Sequence, residues 1–241
     1  MKCIAFALRN LKELIRDPVM MFFCIGFPVI ILLLLSAIQA NIPIELFAIQ
    51  NLAPGIAVFG LSFLTLFAGF LISKDRATSF LMRLFTTPLT AAEFLWGYII
   101  PLLPIGILQC VGLFILAIVL GLEITLNIVL TIVVLLPTVF LFISFGLFFG
   151  SLVNDKAIGG VSSILINLAA WLSGAWFDVK IVGKTFSDIS YALPFAHAVD
   201  AARAALSGKY ADIFPHLWWV IGYTVIILVA AIYLFHRKMN V

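Results

Sequence analysis

Ser73-Lys74-Asp75-Arg76-Ala77-Thr78-Ser79-Phe80-Leu81-Met82-Arg83-Leu84-Phe85-Thr86-Thr87-Pro88 is a polar interval set between two long apolar runs. It carries Lys74, Arg76 and Arg83 in a chain that is otherwise nearly continuous hydrocarbon. Residues 77 to 86 contain no Gly or Pro, and Phe80, Leu81, Leu84 and Phe85 repeat on one helical face, which predicts a short amphipathic helix. Pro88 disfavours helix at Thr87 and ends it. Thr90 with Glu93 is a capping box for a new helix starting before Phe94-Leu95-Trp96. An exposed apolar face beside Arg83 is what a membrane subunit needs to touch a soluble partner; a solvated connector is the competing reading.

Working outward, composition decides the class. Of 241 residues, 64% are hydrophobic and 10% charged, and the mean hydropathy is +1.25. Soluble domains carry about a quarter charged residues, so the chain reads as an all-α integral membrane protein. The net charge of +3 includes no basic cluster for nucleic acid. Cys3, Cys24 and Cys110 are odd in number and lack metal-ligand spacing, so neither a disulfide framework nor a metal site is supported.

Residues 1–17 place Ile4, Leu8, Leu11 and Ile15 on one helical stripe and Lys2, Arg9, Lys12 and Arg16 beside it, the pattern of an interfacial helix whose cations meet anionic headgroups. Asp17-Pro18 reads as a helix cap with proline at the first helical position. The following run from Val19 to Ile38 has full span length and no small-residue cleavage site, so a retained first span is expected rather than a signal peptide. Further apolar runs at about 54–72, 97–121, 126–150, 157–177 and 216–235 bring the expected spans to six.

With the N-terminus inside, ten Lys and Arg residues fall on the cytoplasmic side (Lys2, Arg9, Lys12, Arg16, Lys74, Arg76, Arg83, Lys156, Arg237 and Lys238) and four outside (Lys180, Lys184, Arg203 and Lys209). The positive-inside rule then puts both termini in the cytoplasm. In the fifth run Gly160, Ser163, Asn167, Ala170 and Gly174 recur at steps of three or four, a thin face expected in protein contact with its one amide bonded across it. The interval 178–215 predicts an outer re-entrant or interfacial helix with Pro194 near its start and Gly208 at its stop, followed by Trp218 and Trp219 at the interface.

Catalytic chemistry is missing from this pattern. Gly183-Lys184-Thr185 lacks the first glycine of a phosphate loop, and His197, Asp200 and Arg203 read as a solvated helix face with an i, i+3 ion pair. Gln109 and Asn167 are the only strongly polar side chains well inside a span, so a proton- or sodium-driven transporter finds no ionisable residue there.

At this point the chain resembles the membrane subunits of ABC-2 type exporters. The resemblance rests on Arg9-Asn10-Leu11 and Arg16-Asp17-Pro18 in the first helix, six spans, Arg83-Leu84-Phe85-Thr86-Thr87-Pro88-Leu89 with Gly97 beyond, and Pro194 with Ala201-Ala202-Arg203 near the end. In the family a Gly-Thr pair and a Glu often precede the arginine; here those places hold Ser79, Phe80 and Met82. The resemblance implies a single transmembrane domain over 1–241, with a coupling loop at 74–96 and an extracytoplasmic hairpin at 178–215. Phe80, Leu81, Arg83, Leu84, Phe85 and Pro88 would couple to a separate ATP-binding cassette ATPase, which would hold ATP and magnesium; no cofactor is expected in this chain. A second copy of this or a related subunit would meet it through spans one and five, at Gly160, Ser163, Asn167, Ala170 and Gly174. The implied function is export of an amphipathic, drug-like, peptide or lipid-linked substrate across a prokaryotic plasma membrane, with a self-contained channel or secondary transporter as the alternative.

Overall fold

A computed structural model describes residues 2–42, 47–78 and 91–239, and every regular element among them is helical. In chain order these are α1 (Lys2–Ile15), α2 (Pro18–Gln39), α3 (Ile49–Leu61), α4 (Phe63–Ala77), α5 (Ala91–Val119), α6 (Leu126–Leu152), α7 (Asp155–Leu172), α8 (Val179–Val182), α9 (Lys184–Ala192), α10 (Pro194–Leu206) and α11 (Tyr210–Met239). Five stretches are long and apolar enough to cross a membrane: α2, the continuous pair α3–α4 (Ile49–Ala77), α5, α6 and α11. The chain is a multi-pass, all-α membrane protein.

The expected fifth span is α7. Its 18 residues rise only about 27 Å at 1.5 Å each, and Asp155 and Lys156 occupy its first turn, so by length and composition it falls short of the other five. The second span runs further than its apolar core suggests: α4 continues to Ala77, so Lys74, Asp75 and Arg76 are the last turn of a helix and not part of a loop.

Several local signals act as expected. Asp17 caps α2, its carboxylate accepting from the N–H groups of Val19 (3.0 Å) and Met20 (3.1 Å), with Pro18 at the first helical position. Pro194 opens α10, and Gly208, at φ +75°, closes it.

The core is α3–α4, buried along nearly its whole length, while α2 and α11 are largely exposed, as helices that meet lipid or another subunit are. α6 packs against α4 through Gly146 and Gly150. A Cβ at Gly146 would run into the Thr65 carbonyl oxygen, and one at Gly150 would lie 2.6 Å from that of Gly69. This G-x-x-x-G pair lets two backbones touch where lipid offers helices no hydrophobic reason to associate. Gln109 is buried at the joint of α2 and α3; with its amide oriented to satisfy both atoms, it donates to the Cys24 carbonyl (3.1 Å) and accepts from the Leu61 N–H (3.0 Å).

The buried side of α1 is Phe6, Ala7, Asn10 and Leu14, and Ile4, Leu8 and Ile15 of the apolar stripe point away from the protein. One expectation about an exposed face is corrected. The interval 178–215 holds three helices, and α10, far from a solvated face, is buried over ten of its 13 residues among α3, α6 and α11.

Candidate functional site

Successive residues on a helix point about 100° apart, so three in a row can reach three different neighbours. Lys74, Asp75 and Arg76, at the end of α4, do so. Asp75 is 2% exposed. Its two oxygens accept a fork from Arg9 of α1, Nη1 to Oδ2 at 2.8 Å and Nη2 to Oδ1 at 2.9 Å, and the hydroxyl of Tyr98 in α5 donates to Oδ2 at 3.0 Å. Two parallel charge-assisted bonds fix orientation as well as distance. Arg9 also meets Glu13 at 3.2 Å, and Lys74 closes the ring by pairing with the same Glu13. The hydrogen bonds that Arg9 donates to Asp75 push the guanidinium's pKa above its ordinary value against the opposing effect of burial, so Arg9 stays charged.

The floor beneath these charges is apolar. Phe6 lies against Gly97, where a Cβ would collide with its ring, and it packs on Phe94 (centroids 5.1 Å) and edge-on to Tyr98 (5.0 Å). Asn10, fully buried, donates to the Gly97 carbonyl at 3.0 Å. Arg76 turns the other way and donates to the carbonyls of Gly150 (2.6 Å) and Val153 (3.2 Å). It thereby supplies a cation to the free carbonyls at the C-terminus of α6. One turn of α4 therefore ties together α1, the start of α5 and the end of α6.

α4 and α5 are the helices on either side of residues 79–90. The predicted coupling residues Phe80, Leu81, Arg83, Leu84, Phe85 and Pro88, and Thr90 of the capping box, lie outside the described residues. The pattern of Lys and Arg points to this region, but Asp75, its central carboxylate, and Tyr98 do not stand out in the sequence, and Arg9 reads there as a cation for lipid headgroups rather than as the partner of Asp75. A signal was present: Ala68, Leu71, Ile72 and Asp75 continue one buried helical stripe, so a carboxylate occupies the place of a core residue.

Around this geometry the family can be placed, for the ABC-2 type transporter family matches residues 1–207, most of the chain. The chain belongs to the ABC-2 type transporter family. No curated protein matches it. An ABC-2 membrane domain is the permease component of an ABC exporter and is not itself catalytic, which fits a site made of a joint rather than a nucleophile. Among the described residues no group of three or more His, Cys, Asp or Glu side chains is arranged to hold a metal ion.

In this ABC-2 permease the small-residue positions of the fifth run divide between two settings. Gly160, Ser163 and Asn167 share an outward face of α7, and no heavy atom lies within 4 Å of a Cβ built at Gly160. The Asn167 amide does not bond across to another helix; it donates to the Ser163 carbonyl of its own helix at 2.8 Å. Ala170 is half-buried, its carbonyl accepting from Trp176 Nε1 at 2.7 Å. Gly174 leaves the stripe: it is buried in the turn after α7 with φ +70°, and its carbonyl accepts from Arg203.

The opposite end of the bundle holds a cavity of about 980 Å³, lined by Trp176, Tyr191, Arg203 and His216 among others. Here the expected Asp200–Arg203 ion pair is replaced by other bonds. Asp200 accepts from the Tyr191 hydroxyl at 2.6 Å, and Arg203 donates to the carbonyls of Asn51 (3.1 Å) and Gly174 (2.9 Å).

Proposed function

We propose that this permease works with a separate ATP-binding cassette ATPase that holds ATP and magnesium, and that it pairs with a second copy of itself or a related subunit. The segment 79–90 docks on the ATPase, and the Lys74–Asp75–Arg76 turn carries its movement into the bundle. The observation that carries this reading is the placement of the Asp75–Arg9–Tyr98 joint on both helices that flank the segment. A connector with no mechanical duty does not require a buried carboxylate held by two helices at its root.

The distribution of Lys and Arg supports a cytoplasmic location for that end and for both termini, in a prokaryotic plasma membrane. Aromatic richness, with 23 Phe residues, suits an amphipathic, drug-like, peptide or lipid-linked substrate.

The test separates docking from folding. Phe80→Asp with Leu84→Asp should remove about 2–4 kcal/mol of docking energy, giving an inserted protein with unchanged thermal unfolding that no longer copurifies with its ATPase. Retention of the ATPase together with normal ATP-dependent efflux would return the segment to a simple connector, whereas efflux by the protein without any ATPase would favour a self-contained transporter.

A further inference from the structure

His197 of α10 and His216 of α11 face each other at the hairpin end, Nδ1 to Nδ1, at 2.8 Å. Their rings are 5.1 Å apart between centroids, and His197 stacks on Trp219 at 5.0 Å with the planes 4° apart. The hydrogen-bond network assigns the protons. His197 Nε2 lies 2.9 Å from the Tyr191 carbonyl, which can only accept, so Nε2 carries a hydrogen. In neutral His197 the Nδ1 is then a bare acceptor, and His216 must donate from its own Nδ1. Neutral His216 therefore keeps its lone pair at Nε2, on a partly exposed ring at the cavity wall.

We propose that this pair is a proton-binding latch between the α9–α10 hairpin and the last span. A proton added at His216 Nε2 preserves the contact, because Nδ1–H still donates to His197. A proton added to His197 destroys it, because two N–H groups then point at each other on two cations.

The surroundings of His197 set when the second of these happens. Burial lowers the pKa of His197 below its ordinary value, and the neighbouring His216 acts in the same direction; the Tyr191 carbonyl and Asp200 oppose them. The folded state thus binds fewer protons at His197 than the unfolded state, so the contact's contribution is present above the ordinary histidine pKa and is lost as pH falls through the depressed one. The other ionisable groups facing the pair are Tyr191 and Lys180, whose ammonium lies 5.8 Å from the Tyr191 ring, with Asp178, Arg203 and Asp212 around the cavity. α3 and α6, packed on the remaining sides of α10, contain no ionisable residue, and the two charges of α7 are at its far end. Asp200, whose carboxylate is engaged by the Tyr191 hydroxyl, offsets only part of the second proton's charge, so release of α10 from α11 is the expected response.

The chain has three histidines, which makes the test direct. The full-length protein with ring-¹⁵N-labelled histidine, in lipid nanodiscs, is followed by NMR from pH 8 downward, with His236→Gln used for assignment. The expected result at pH 8 is His197 in the Nε2–H tautomer and His216 in the rarer Nδ1–H tautomer. On acidification the contact should hold until His197 takes up its proton, below the ordinary histidine range. Trp219 emission should change only with that step, and His197→Phe should abolish the change. In His216→Phe, His197 should titrate at higher pH than in the parent. Two Nε2–H tautomers at pH 8, or two rings titrating independently, would overturn the latch, and the parent spectrum decides this even where a variant fails to fold.

Discussion

The two ends of this bundle hold their charged groups in opposite ways. At the α1 end, side chains of opposite charge meet: Asp75 with Arg9, Lys74 with Glu13. At the hairpin end, Arg203 rests on two backbone carbonyls, and two imidazoles share a proton. A bidentate ion pair has one good geometry and is costly to separate. A guanidinium on carbonyls uses two of its five N–H groups and can exchange one carbonyl for another. The first end is thus built to transmit a displacement, and the second to yield to one.

Breaking the comparison at its strongest point gives the largest effect. Asp75→Ala leaves Arg9 without its main counter-charge and Tyr98 without its acceptor, and should lower stability by about 2–4 kcal/mol; this is discounted from the full cost of splitting a buried pair because the Arg9 side chain is 39% exposed. Thermal unfolding in detergent checks this. The double change Arg9→Met with Asp75→Leu should recover most of the stability while losing coupled transport, which distinguishes a joint from a mere brace.

Next comes the contact that fixes α6 against the core. Gly146→Leu places a side chain where the Thr65 carbonyl lies and should cost about 1–3 kcal/mol, read as a lower unfolding temperature. A smaller loss is expected at the yielding end. Arg203→Lys gives up one of its two carbonyl bonds and should cost about 1–2 kcal/mol, with unchanged insertion. The smallest effect sharpens the contrast: Gly160→Leu, on the outward face of α7, should leave the unfolding of the isolated subunit unchanged. If that face meets a second subunit, the same change should instead reduce dimer recovery on size-exclusion chromatography.

What the sequence makes legible here is what depends on near neighbours. The apolar runs, the Asp17-Pro18 start and the Pro194 to Gly208 limits of α10 all follow from residues within a turn or two. The Asp75–Arg9 pair spans 66 positions, and no local pattern announces it. Small-residue spacing occurs in both α6 and α7, yet spacing alone does not say which face has a helix beside it; Gly146 and Gly150 do, and Gly160 does not within the chain. The protein-facing side of α1 is not announced by its apolar stripe, for a reason peculiar to membranes. Where the surroundings are hydrocarbon, exposing Ile4 and Leu8 costs nothing, so the apolar stripe no longer identifies the core.

α6 touches both ends. Its last turn is capped by Arg76, and its first residues are bound by Asn127, which donates to the Leu206 carbonyl (3.2 Å) and accepts from Tyr210 (2.8 Å). Twenty-seven helical residues make a rod about 40 Å long. Gripped near Gly146 and Gly150, well towards one end, such a rod is a lever with unequal arms, and a tilt of about 5° at the short arm sweeps the far tip through roughly 3 Å, by the 1.5 Å rise per residue. That sweep matches the length of a single hydrogen bond, so a tilt of this size about Gly146 and Gly150 would suffice to exchange the partners of Asn127 at the other end of α6.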